Sequence, residues 1–292
     1  MMFRESSGET QAIECGLRRA VTCIEAIPSS LWVGTMAGLY LYRDLRAPTA
    51  SFLLSEAINA LTSTSAAVYV ATKRSWGLYQ VPLTLRLTPI APSEATTAEY
   101  TEPRALAIWN GALAVASSAG LYRYALGRRE WELVDREVFQ YLLATGTRLW
   151  ALGRGLVGYD RQYRVVERIA VPITMLPALE QSRLWWATAV GGTVILYSYS
   201  LGIGKIEREE FRLDDSALRV VGGGQATALA RWGAFWYVGL GRLRHGMVLR
   251  LNFTTKRAEL AWEGASVSTL ALWRGNLMVG TLEGLYALER PR

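Results

Sequence analysis

Short apolar runs punctuated by glycine recur all along the chain, and one returns almost intact, as LWVGTMAGLY at 31–40 and LMVGTLEGLY at 277–286. Runs of this length have the character of β-strands, and the glycine between two of them marks a tight hairpin. With a register point on Trp32, equivalent positions fall at Tyr69, Ala114, Trp150, Trp185, Tyr237 and Met278. The intervals are 37, 45, 36, 35, 52 and 41 residues, with a mean of 41. That is the length of a four-stranded antiparallel unit repeated around an axis, the blade of a β-propeller.

Two further positions follow the same register. Two residues after the anchor a small residue recurs at Gly34, Ala71, Ala116, Ala187, Gly239 and Gly280, with Leu152 the exception. Sheets that approach closely need such residues. A glycine opens the following strand at Gly38, Gly77, Gly120, Gly155, Gly246 and Gly284, where a tight hairpin calls for positive φ. The run before the anchor is short and alanine-rich (RALAI, ATALA, STLAL) and ends on Trp109, Trp232 or Trp273 just ahead of a turn. The outermost runs, EWELVDR, RVVERIA, KIEREEF and RAELAWE, carry interspersed charge, which protects an exposed sheet edge. The expected fold is all-β, a seven-bladed β-propeller of four-stranded antiparallel blades forming a single domain over 1–292. Its blades lie near 18–56, 57–102, 103–136, 137–171, 172–213, 214–264 and 265–292 plus 9–17.

The final hairpin has no outer run after it, so the N-terminal segment is expected to complete the last blade. Aligned by spacing, AIECGL at 12–17 corresponds to the outer run AELAWE, and VTCIEA at 21–26 to the inner run VSTLAL. This puts Cys15 on the outer edge of the last blade and Cys23 on the inner strand of the first. The two thiols are then too far apart for a disulfide, which tolerates a Cα separation of at most about 7 Å.

The pattern hydrophobic-Trp-hydrophobic-Gly-Thr-x-x-Gly-Leu-Tyr resembles the repeats of two-component-regulator-type propellers, and VYVAT at 68–72 is similar to YVTN-type repeats. The likeness is WD40-like in architecture, yet no Trp-Asp dipeptide occurs in the chain, and the Asp boxes of sialidase-like propellers are also missing. The match is weakest at LWALGRGLVGYD and LWWATAVGGTVILY. What the resemblance implies is a scaffold or recognition role, since fold does not fix function.

Composition narrows the class without naming a task. Apolar residues make up 51% and charged residues 20% of 292, enough for a large core and too little charge for a disordered chain. No apolar run approaches the roughly 20 residues that span a bilayer, and the N-terminal stretch has no apolar core of a signal peptide. A cytoplasmic protein with no membrane association is expected. The formal charge of +7 rests on 29 Arg and 3 Lys against 5 Asp and 20 Glu, which permits an anionic partner. Only 4 Asn and 6 Gln occur, a scarcity of thermolabile amides that fits a thermophile.

Candidate chemistry is thin. His245 is the single histidine, so multi-histidine metal sites and two-histidine relays are ruled out, and it reads as a loop residue between basic neighbours Arg242 and Arg244. The paired carboxylates Asp214 and Asp215, and Glu207, Glu209 and Glu210, could do acid–base work, but read as a linker and a solvated outer edge. Gly222, Gly223 and Gly224 lack the Lys-Ser/Thr of a phosphate loop. No catalytic residue, cofactor or metal ligand is assigned, and the chain is read as a non-enzyme.

The parts of each copy that do not repeat are the better candidates. Loops from second to third strands and loops between blades emerge on one face, which gathers Lys73, Arg74, Trp76, Arg154, Arg242, Arg244 and His245. The long insertions at 91–103 and 213–225 add Tyr100, Asp214 and Asp215. Trp32, Trp150 and Trp185 read as core, whereas Trp76 reads as the tryptophan freest to bind. The leading expectation is a scaffold docking a protein partner on this face. Nucleic-acid or polyanion binding by the same basic loops is the alternative, and an enzyme using carboxylates at the channel mouth a third. Mass analysis under non-reducing conditions is expected to find two free thiols; a Cys15–Cys23 bridge would break the scheme in which the N-terminus completes the last blade.

Overall fold

A computed structural model describes residues 11–45, 50–82, 84–92, 101–153, 155–169, 185–190, 193–198, 202–207, 210–213, 226–242, 245–252 and 257–289. The described elements are all strands, arranged in four-stranded antiparallel sheets. They fall into two compact units, Met1–Ser55, Tyr197–Gly204 and Leu213–Arg292 in one, Glu56–Leu196 and Lys205–Arg212 in the other.

In unit one, sheet A runs Val21–Ile27, Ser30–Thr35, Gly38–Tyr42, Ala50–Leu54, and sheet F runs Ala226–Trp232, Phe235–Arg242, His245–Asn252, Arg257–Gly264. Sheet G is Val267–Trp273, Asn276–Thr281, Leu285–Leu288 and then the N-terminal strand Ala12–Glu14, which pairs Ala12 with Leu288 and Glu14 with Tyr286. In unit two, sheet B is Ile58–Ser63, Ala67–Thr72, Leu78–Pro82, Thr88–Pro89, and sheet C is Pro103–Trp109, Ala112–Ser117, Gly120–Ala125, Glu130–Asp135. Sheet D is Tyr141–Ala144, Leu149–Leu152, Leu156–Tyr159, Val165–Ile169. Sheet E, mostly in this unit, is Trp185–Val190, Thr193–Ser198, Gly202–Glu207, Glu210–Leu213.

Outside sheet E the repeat sets the register directly. The anchors Trp32, Tyr69, Ala114, Trp150, Tyr237 and Met278 all lie on second strands and are buried. The residue closing that strand is a hydroxyl, Thr35, Thr72, Ser117 or Thr281, each fully buried. At Thr35 the hydroxyl donates to the Gly38 carbonyl (2.9 Å) and accepts from the Ala37 amide (3.0 Å); Ser117 with Gly120 and Thr281 with Gly284 repeat the arrangement. The Thr-x-x-Gly of the motif is thus a hairpin whose polar backbone groups are satisfied internally.

Neighbouring sheets meet at the start of the first strand. There the register slips by one residue in sheets A, B, C, F and G, a bulge centred on Thr22, Asn59, Arg104, Thr227 and Ser268. Three of these reach across. Thr227 Oγ1 donates to the Val267 carbonyl (2.7 Å), Ser268 Oγ to that of Val21 (2.8 Å), and Asn59 Nδ2 to that of Pro103 (2.9 Å). The same junction explains the small residues after the anchor: a Cβ on Gly239 would meet Val267 at 2.5 Å, and one on Gly280 would meet Val21 at 2.7 Å. At the other end of the first strand, indole N–H groups staple the sheets again. Trp109 donates to Thr145, Trp232 to Gly275 and Trp273 to Ile27, at 3.0 to 3.1 Å.

Two readings need correction. Trp185 lies on the first strand of sheet E, not the second, and KIEREEF spans its third and fourth strands instead of forming one outer strand. Because Trp185 stands on a first strand and Tyr237 on a second, the interval between them is longer than the others. Positive φ is found at Gly38 (148°) and Gly120 (134°) only; the other hairpin glycines are needed for close approach. At Gly155, Gly246 and Gly284 the chain leaving an outer strand crosses over, so that a Cβ would fall 3.0 Å from the Ile169 carbonyl at Gly155 and 2.5 Å from that of Ala265 at Gly246, whereas Gly77 is closed in by Thr72 of its own hairpin.

Replacing Thr227 by Val keeps its shape and removes the hydroxyl that spans sheets F and G. Urea titration is expected to show a loss of about 1 to 3 kcal/mol in unfolding free energy. An unchanged midpoint would mean that this lateral hydrogen bond contributes nothing.

Candidate functional site

The hairpin between the second and third strands of sheet B carries the largest described share of the expected partner face. Its base is the buried Thr72, whose hydroxyl donates to Glu56 Oε2 (2.8 Å) and accepts from the Arg74 amide (3.3 Å). The Lys73 amide donates to the Ala57 carbonyl (2.9 Å), the Trp76 amide to Thr101 (2.8 Å), and the Thr101 amide to Ser75 Oγ (3.0 Å). Thr101 leads directly into sheet C, so the turn is held from both sides. Arg74 projects from it with its side chain 70% exposed and a single ion-pair contact to Glu56 at 3.4 Å.

Trp76 is not free. Its φ of 50° turns the ring inward, edge-on to Tyr122 (5.0 Å) and Trp131 (6.1 Å), where it packs against the buried cluster between sheets B and C. An aromatic of this size gains more from filling the junction than from standing in water. It acts as a wedge under the turn that presents Lys73 and Arg74.

In unit one, Arg242 and His245 are register partners at the end of the hairpin of sheet F, and His245 is exposed. Arg154, Arg244, Tyr100, Asp214 and Asp215 lie outside the described residues, as do Glu209 and Gly222 to Gly224. The structure therefore brings Lys73, Arg74 and Trp76 together on one turn, and Arg242 and His245 on another. Among the described residues no cluster of His, Cys, Asp or Glu is arranged to hold a metal ion. No helix among them is long and apolar enough to cross a membrane.

The strongly shifted titratable groups lie elsewhere, at junctions between sheets. Tyr42 donates to the Cys15 carbonyl (3.2 Å), linking sheet A to the end of sheet G's outer strand. Tyr159, at the same repeat position in sheet D, donates to Asp135 Oδ2 (2.7 Å) at the end of sheet C's outer strand. Burial raises both phenols, helped at Tyr159 by the Asp135 carboxylate that accepts its proton. Burial, with the Glu14 charge adding to it, pushes the Cys15 thiol up to about 12, and Tyr163 is pushed to about 12 by burial against the opposing pull of Arg123. Sequence reasoning missed these latches, although the GLYLY, GLYRY and GLVGY segments display the recurring tyrosine.

No protein-family model matches the sequence, and no curated protein sequence matches it. Solved structures do. The extracellular domain of the hybrid two-component system BT4673 from B. thetaiotaomicron is similar over 97% of this chain, with TM-score 0.75 and 15% identity. The fold is that of a β-propeller. This chain spans 40% of that extracellular domain. A structure titled YCF48 bound to D1 peptide is similar over 99% of this chain and 98% of its own, with TM-score 0.71 and 12% identity. Virginiamycin B lyase from Staphylococcus aureus is similar over 97% of this chain and 100% of its own, with TM-score 0.73 and 11% identity. Identities this low speak to fold alone.

A raised Cys15 pKa has a defined consequence for stability. The unfolded chain ionises its thiol near the ordinary value of 9, the folded chain only near 12, so ionisation favours unfolding between them. Stability is expected to be intact below about pH 9 and to fall steadily above it, less steeply in Cys15→Ala, when urea midpoints are compared across that range. Equal slopes for the two proteins would assign the decline to the tyrosines alone.

Proposed function

We propose that the protein is a binding scaffold which docks a protein partner on the face formed by the hairpins between second and third strands. What supports this reading is the turn at Lys73 and Arg74, where non-repeating cationic side chains stand on a backbone pinned by Thr72, Ser75 and Thr101. A preorganised turn loses little entropy on binding, so exposed arginines on it can act as anchors. Arg242, Arg244 and His245 would extend the contact, with Arg154, Tyr100, Asp214 and Asp215 adding to it. The propeller seen bound to a peptide is a precedent for a protein ligand on this fold.

We infer further that the sheets are seven blades of one closed ring forming a single domain over 1–292. The recurrence of the motif supports this, as does the building of sheet G from N-terminal and C-terminal strands together. Two cysteines without a disulfide fit a reducing compartment, and on that ground we place the protein in the cytoplasm.

Affinity purification from native extract is the direct test. The wild-type chain should retain one stoichiometric protein partner that R74E/R242E/R244E loses while keeping its circular dichroism and melting temperature. Retention of the partner by the triple variant would place the interface elsewhere.

A further inference from the structure

Another surface lies at the opposite ends of the strands, where the third and fourth strands of sheets B, C and D are joined. These turns occupy the same place in successive sheets and share a left-handed residue, Leu85 (φ 66°), Arg129 (φ 60°) and Tyr163 (φ 60°). They carry five exposed arginines, Arg86, Arg128, Arg129, Arg161 and Arg164, against two carboxylates, Glu130 and Asp160. Asp160 is already engaged by Arg164 (2.9 Å) and by the amides of Gln162 and Arg164. Among the described residues, Arg86, Arg128, Arg129 and Arg161 form no ion pair.

The turns are neighbours and are rigidly built. Asn110 of sheet C donates through Nδ2 to the Arg161 carbonyl (3.0 Å), and the Arg123 guanidinium lies 5.1 Å over the Tyr163 ring, which packs edge-on to Trp109 (5.2 Å). On the other side, Trp131 of sheet C donates to the Ile90 carbonyl beyond the last strand of sheet B (2.9 Å). The Arg128 and Arg129 amides both donate to Ala125 (3.2 and 2.7 Å). A row of cations on fixed turns has no repeat function to serve, since a solvated turn does not require arginine.

We propose that this row is a docking surface for an extended acidic segment of a protein, which would run across the three turns. Guanidinium groups pair bidentately with carboxylates, and the fixed backbone leaves only side-chain ordering to offset. A nucleic acid fits less well, because single-stranded binding relies on exposed aromatic platforms, and the aromatics here are packed into sheet junctions, Trp109 and Tyr163 buried and Trp131 half-buried against Tyr124. The surface is distinct from the proposed partner face, so either can fail without the other.

The test is fluorescence anisotropy of a labelled oligoglutamate peptide with the full chain. Binding is expected at low ionic strength, weakening as salt approaches about 0.15 M. R128E/R129E/R161E should lower affinity at least about tenfold, the sum of several exposed ion pairs, while R136E, beyond the other end of sheet C's outer strand, leaves it unchanged. Circular dichroism and melting establish that both variants fold, and R128E/R161E spares the left-handed position should the triple variant not. The proposal is overturned by absence of binding at low salt, by undiminished affinity in the folded Arg128 variants, or by an oligothymidylate of equal length binding more tightly than the peptide.

Discussion

Everything in the two units hangs on how one sheet is held against the next at the start of its first strand. The backbone bulges there, freeing a short polar side chain from the ladder, and in Thr227, Ser268 and Asn59 that side chain bonds to the first carbonyl of the following sheet. Bonds of 2.7 to 2.9 Å set the distance at which two twisted sheets meet. The rest follows as consequences. Gly239 and Gly280 lack side chains because Val267 and Val21 occupy that space, and the departing outer strand must cross Gly155, Gly246 and Gly284 at backbone contact distance. Between sheets F and G and between G and A, a tryptophan at the far end of the strand completes a two-point attachment.

Much of this was legible in the sequence, because close contact leaves a compositional trace. The anchors and the hairpin glycines identify second and third strands in sheets A to D, F and G, with the small residue two positions on in all of these but sheet D. The bulge positions are visible once known, as VTCI, INAL, PRAL, ATAL and VSTL, but a single polar residue at a strand start has no distinctive periodicity. Sheet E resisted because LWWAT carries the anchor pattern on a first strand. Apolar periodicity reports a strand and its buried face; it does not report the strand's order within a sheet, which turn chemistry and neighbours decide.

The candidate site was less legible, for a different reason. Basic loop residues such as Arg74 could be found by subtracting the repeat, yet their surroundings could not. Trp76 read as free because it falls in a loop outside the motif, whereas the pocket that takes it is made by Tyr122 and Trp131 of another sheet. The arginines at the opposite turns were hidden among the chain's 29. Only the shared left-handed turn of three sheets sets Arg86, Arg128, Arg129 and Arg161 in a row.

Sheet G joins residues that stand far apart in sequence. Ala12 leaves the ribosome long before its partner Leu288, so through nearly all of synthesis the N-terminal strand has no place in the ladder and the edge it will cover does not exist. That sheet is completed only once Leu288 has emerged, through contacts of long sequence separation, which are slow to form. Once made, they tie the two strands together: loss of Ala12–Glu14 would bare the backbone edge of Leu285–Leu288.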